Sequence, residues 1–257
     1  MILTIARKEL KTLFASPLAW VVLTFMQLIV SGVWMFALLA PYVELQSQPM
    51  MMNSTQGFTA LIVAPIYQIT ALILLLAAPL LAMRLIAEER RNQTMAFLMS
   101  APISMTEIVL GKFIGLWLFL LLIVGVLTLM PLALLLGGKL DLGLLASLVI
   151  GISLLAASYT AVSIYASSLT TQPITAAMVG FGFLLAMLFL SGSITESLRE
   201  RGWQVPAALM QVFTPLINFE SFRKGVIDSY SVTCLLLLTA AFLILTVRRL
   251  DALRLRG

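Results

Sequence analysis

The chain has 257 residues, of which 61% are hydrophobic and only 11% charged, with a net charge of +5. Its mean hydropathy is +1.08. A soluble domain is about 45–50% apolar and about 25% charged. The composition therefore excludes a soluble globular enzyme, a disordered chain and a nucleic-acid-binding module, and leaves an all-α polytopic membrane protein. At about 20 apolar residues per span, the chain holds about six helices and no large soluble domain.

Histidine is absent, which removes the commonest metal ligand and general base. The single cysteine, Cys234, sits in an apolar run and offers neither a disulfide nor a metal cluster; it reads as a small buried residue. No catalytic, cofactor or metal site is expected in this chain.

Residues 1–15 form the first element. Leu3, Ala6, Leu10 and Leu13 recur at spacings of three and four, while Arg7, Lys8, Glu9 and Lys11 supply a polar, mainly basic complement. This predicts an amphipathic helix lying in the headgroup plane. Ser16-Pro17 reads as an N-cap followed by proline at the first helical position. The first span, 18–39, is too long for a signal-peptide core, and no clean small-residue cleavage site follows it. A polar loop, 40–57, carries Pro41, Pro49, a weak sequon at Asn53 and the triplet Met50-Met51-Met52. The triplet reads as a greasy loop on the membrane or, less readily, as soft-metal thioethers.

The second span, 58–83, contains Pro65 and Pro79, either of which can kink it. A charged segment, 84–112, leads to a third span, 113–136, which ends at Gly137-Gly138. The fourth span is 142–169, a short loop covers 170–173, and the fifth is 174–194. A mixed outer segment, 195–230, is broken by Pro206 and Pro215, with Trp203, Phe213, Phe219 and Phe222 able to dip back into the membrane. The sixth span is 231–247, and a basic tail runs to 257. With six spans, Lys and Arg divide 11 to 5 between the two sides, which predicts that both termini are cytoplasmic.

The expected span cores hold no Asp, Glu, Lys or Arg. Ion-coupled carriers commonly need an ionisable group at depth, and channels often use charged rings or carbonyl filters. Their absence favours a protein driven from outside the bilayer. Ser153, Ala156, Thr160, Ser163 and Ser167 form a stripe of small residues in the fourth span. The stripe suits close helix packing or, alternatively, the wall of a translocation path. Ala176 and Gly180 make a similar small pair in the fifth. Glu220, Arg223 and Lys224 are candidates for an outer gate, or else a solvated charged face.

Within 84–112, Glu88, Glu89, Arg90 and Arg91 cluster between apolar residues, and Ala101-Pro102 breaks the segment. Ser104 and Glu107 then fit a capping box that starts a new helix. The pattern reads as a rigid helical elbow, or as an ordinary charged loop. Neither Gly111-Lys112 nor Gly138-Lys139 fits a phosphate-cradling loop, because Thr106 and Ala133 stand where its first glycine belongs and Phe113 and Leu140 follow the lysines.

The opening Ile5-Ala6-Arg7-Lys8-Glu9-Leu10, followed by Phe14-Ala15-Ser16-Pro17, is similar to the start of ABC-transporter type 2 (ABC-2) permeases. The same family is resembled more specifically by Ala87-Glu88-Glu89-Arg90-Arg91, Thr94, Phe97-Leu98-Met99-Ser100-Ala101-Pro102-Ile103-Ser104 and Glu107-Ile108-Val109-Leu110-Gly111-Lys112. Within it, these residues resemble the branch that includes gliding-motility permeases and the permease of nitrous-oxide-reductase maturation. The resemblance implies a type V exporter-like fold in the bacterial inner membrane, and a permease that pairs with a second copy. It further implies a separate cytoplasmic ABC ATPase, which would hold the ATP and Mg, and leaves room for a periplasmic or auxiliary membrane subunit. By position, Glu88, Glu89, Arg90, Arg91, Thr94, Phe97 and Leu98 fall in its ATPase-coupling segment, and the N-terminal helix acts as its gate or connecting helix. The alternatives are an ATP-independent secondary carrier or a structural membrane-assembly protein; a lipid-modifying enzyme lacks a catalytic cluster.

Overall fold

The computed structural model describes residues 1–39, 59–94, 103–133, 140–203 and 210–254, with side chains except at 37, 38, 61 and 190–200. The methionine triplet, Asn53, Phe97, Leu98, Ala101-Pro102, Gly137-Gly138 and Pro206 lie outside the described residues. Helix α1 (Ile2–Ala15) is followed by α2 (Pro17–Gly32), which runs on as a π-helical stretch, Val33–Leu39. A second π-helical stretch, Thr59–Val63, enters α3 (Ala64–Ala82). Then come the short α4 (Ala87–Arg91), α5 (Met105–Ala133), α6 (Leu142–Leu169), α7 (Pro173–Glu200), α8 (Pro215–Arg223) and α9 (Ser229–Arg254). No strand occurs among the described residues.

Among the described residues, five segments are long and apolar enough to cross a membrane: Pro17–Phe36, Ala64–Arg91, Met105–Ala133, Leu142–Leu169 and Ser229–Arg254. Pro173–Phe189 is a shorter apolar helix. In lipid a backbone must satisfy its own hydrogen bonds, so an apolar chain of this length folds into helices.

Local chemistry sets several helix ends. Ser104 and Glu107 form the reciprocal capping box: the Glu107 amide donates to Ser104 Oγ at 3.2 Å and the Ser104 amide to Glu107 Oε2 at 3.2 Å. The third long helix accordingly starts at Met105, eight residues before the expected span at 113. Asp141 caps α6 by accepting from the amides of Gly143 and Leu144. Ser16 occupies the N-cap position of α2 in an extended conformation, which the following proline favours, but its hydroxyl makes no cap bond. Pro65 falls in the first turn of α3, while the helix continues through Pro79.

Helix α6 is the centre of the bundle, contacting α3, α5, α7, α8 and α9. Its small residues allow this. Gly151 receives Phe222 of α8 so closely that an added Cβ would stand 2.5 Å from the Phe222 Cβ. Gly180 of α7 lies against Ala166 and Pro79. Between α7 and α9, Phe219 and Phe222 are fully buried, whereas Trp203 and Phe213 remain exposed.

Candidate functional site

The site forms where α1, the α3–α4 elbow, the start of α5 and the end of α6 meet. Its centre is Lys112, a residue expected to sit as a loop cation just outside a span. The side chain is 1% exposed. Its Nζ donates to Glu9 Oε1 of α1 at 3.0 Å, to Glu89 Oε1 of α4 at 2.7 Å and to the Leu85 carbonyl at 2.7 Å. Three donors on an ammonium thus meet three acceptors, on α1, on α4 and in the turn before α4. Lys8, largely exposed, adds a second cation 3.4 Å from Glu9 and 3.8 Å from Glu89. Two lysines against two glutamates make the cluster neutral, the condition under which buried charge is tolerated. Glu89 Oε2 is buried and takes no hydrogen bond among the described residues.

Glu9 thereby belongs to the packed face of the N-terminal helix and not to its polar complement. The face packed on the protein holds Ala6, Glu9 and Leu13, while Leu3 is 77% exposed. Arg7, Lys8 and Lys11 remain exposed. Helix α1 approaches α5 at two glycines: a Cβ on Gly111 would stand 2.6 Å from the Ile5 Cβ, and one on Gly115 would stand 2.8 Å from the Glu9 Cβ and 3.1 Å from the Ala6 carbonyl. Gly111 and Gly115 are a small-xxx-small pair that carries Lys112 between them. Lys112, Gly111 and Gly115 were missed as site residues; the glycine spacing was the available signal.

The elbow itself is held from α6. A chain that leaves a helix exposes amides and carbonyls that need partners. Ser167 supplies them: its hydroxyl donates to the Met83 carbonyl at 3.2 Å and accepts from the amides of Ile86 and Ala87 at 3.3 and 3.1 Å. Arg90 Nη1 donates to the Ser168 carbonyl at 2.8 Å and to the Thr170 carbonyl at 3.5 Å, covering the C-terminus of α6. Thr94 donates to the Glu89 carbonyl. Of the charged elbow residues, Glu89 and Arg90 are therefore turned to internal work. Glu88 is 46% exposed and lies 4.0 Å from Arg84, and Arg91 is exposed.

Thr160, Ser163 and Ser167 are buried, and the first two donate to carbonyls four residues back in their own helix. Ser153, partly exposed, donates to the Ile150 carbonyl, and its own carbonyl accepts from Trp117 Nε1. The stripe thus serves packing and the elbow within this chain. At the opposite end of the bundle, Arg223 pairs with Glu220 at 3.5 Å, and Arg223 and Lys224 line a cleft of about 340 Å³ with Ala60, Pro65 and Leu144. No group of three or more metal-ligating side chains occurs among the described residues.

A bundle of apolar spans with an internally braced, charged elbow at one end defines a polytopic membrane protein. The chain belongs to the ABC-2 transporter family: the family model for ABC-2 family transporter proteins matches residues 3–251. It is accordingly the membrane component, or permease, of an ABC transporter. No curated protein shows a significant match to the chain.

Proposed function

We propose that the chain is the permease subunit of an exporter driven by a separate cytoplasmic ABC ATPase, which contacts the elbow. The observation that carries this reading is the buried cluster of Lys112, Glu9 and Glu89. It ties the elbow, the N-terminal helix and a long span together, so a displacement of α4 reaches α1 and α5 directly through side-chain contacts. Glu88 and Asn92 are outward residues of α4 and its end, and they are the candidates for direct contact with the ATPase. Phe97 and Leu98 are kept as anchors from the resemblance alone. In this reading both termini and the elbow are cytoplasmic, the membrane is the bacterial inner membrane, and a second copy completes the pore. The finer likeness to the gliding-motility and nitrous-oxide-reductase-maturation branch rests on the sequence runs at 5–17 and 87–112.

The test separates docking from folding. Glu89→Lys would place a cation against Lys112 and damage the cluster, so it cannot report on docking. Glu88→Lys changes a half-exposed residue. The expected result is loss of co-purifying ATPase with an unchanged thermal midpoint in detergent. Wild-type protein that never retains an ATPase, or a Glu88→Lys variant that binds and transports as well as wild type, overturns the assignment.

A further inference from the structure

We propose that the cleft between the elbow and the α6–α7 turn binds the phosphorylated headgroup of an anionic membrane lipid. The cleft encloses about 700 Å³, and its lining includes Arg84, Arg90, Arg91, Glu88, Gln172 and Ile174. Three guanidinium groups face one carboxylate, a net excess of two positive charges. Arg84 is only loosely held, 4.0 Å from Glu88 and 3.4 Å from Ser16 Oγ. Arg91 joins none of the ion pairs among the described residues. Arg90 is fixed through Nη1 on the end of α6, a pre-positioned fork of the kind that suits phosphate oxygens. The charge of Arg249, on α9, also acts on Arg90 and adds to the field.

One further feature strengthens the pull on an anion, and a second selects an amphiphile over a free one. Helix α7 begins at this cleft with no acidic residue in its first turn, so its positive dipole end is not offset there. Beside it, Ile174 and Met178 are 73% and 68% exposed, one turn apart on α7, and Ile174 is itself part of the lining. An anionic headgroup on the arginines would therefore continue directly into acyl chain lying along an apolar strip. Basic pockets between spans at a membrane surface are suited to such headgroups. The choice of the cytoplasmic leaflet rests on the orientation proposed above; the binding does not.

The test is native mass spectrometry and thermal unfolding of the full chain in neutral detergent, titrated with phosphatidylglycerol, phosphatidylcholine or inorganic phosphate. The expected result is one tightly held phosphatidylglycerol that raises the midpoint, with phosphatidylcholine and phosphate much weaker. Each arginine near the headgroup contributes about fivefold, so Arg84→Gln with Arg91→Gln should weaken binding about 25-fold. If that double variant fails to fold, Thr171, which also lines the cleft, gives a second test: Thr171→Glu adds a carboxylate there and should weaken binding in the same sense. Equal binding by wild type and a folded variant overturns the site, as does phosphate binding as strong as lipid. The assay contains no ATPase, so its failure leaves the permease reading standing, and failed ATPase capture leaves the lipid site standing.

Discussion

The two ends of the bundle are built from different physics. At the elbow end, Lys112, Glu9, Glu89, Ser167 and Arg90 join four elements through directed polar bonds. At the other end, α8 is held mainly by shape: Phe219 and Phe222 are fully buried, and Phe222 fills the space left by Gly151. A single bond from Ser147 to the Phe222 carbonyl and the pair Ser221–Ser231 supplement that packing. Polar bonds fail when one partner is lost, because the other is left buried and unpaired. Apolar packing fails when volume changes. The elbow end should therefore be sensitive to charge and the α8 end to size.

The sharpest way to break the comparison is Lys112→Met. Removing one partner of a buried ion cluster costs about 3–5 kcal/mol, because Glu9 and Glu89 are left with only the largely exposed Lys8 as counter-charge. Thermal unfolding in detergent should show the largest drop of any single variant here. Adding Glu9→Gln and Glu89→Gln should recover much of it; a Lys112→Met protein as stable as wild type would remove the cluster from the account.

The corresponding change at the other end is Gly151→Ala, which forces a methyl group to 2.5 Å from Phe222. Overpacking of this kind costs about 1–3 kcal/mol. Gly125→Ala is the control, because nothing lies within 4 Å of its added Cβ; helix propensity predicts a gain of up to about 1 kcal/mol. Equal midpoints for the two alanine variants would refute the close fit of α8 on α6.

The smallest effect belongs to Arg223→Gln. Its pair with Glu220 is partly solvated, with side chains 35% and 46% exposed, and such pairs contribute less than about 1 kcal/mol. A near-neutral midpoint with altered transport would favour the outer-gate role given to Glu220, Arg223 and Lys224. A near-neutral midpoint with unchanged transport would mark them as a solvated face.

Much of this was legible in the sequence because it depends on neighbours along the chain. Hydropathy located the apolar helices, and α6 runs over 142–169 as expected. The Ser104–Glu107 box is a three-residue relation and forms as read. The capping role of Asp141 was equally local and was overlooked. The burial of Phe219 and Phe222, but not of Trp203 or Phe213, could not be read from their shared aromatic character. For Phe222 it depends on meeting the groove at Gly151, a contact between distant helices.

The sequence by itself determined that this chain is helical and membrane-embedded, since backbone satisfaction in lipid and the length of apolar runs admit little else. Only the tertiary structure decided what its charged residues do. Glu9 and Lys112 are 103 positions apart, and Glu89 and Lys112 are 23 apart, so no periodicity links them. They meet because Gly111 and Gly115 let α1 approach α5 closely enough to bury an ammonium between two carboxylates. That contact turns an apparently solvated loop cation into the pin of the elbow.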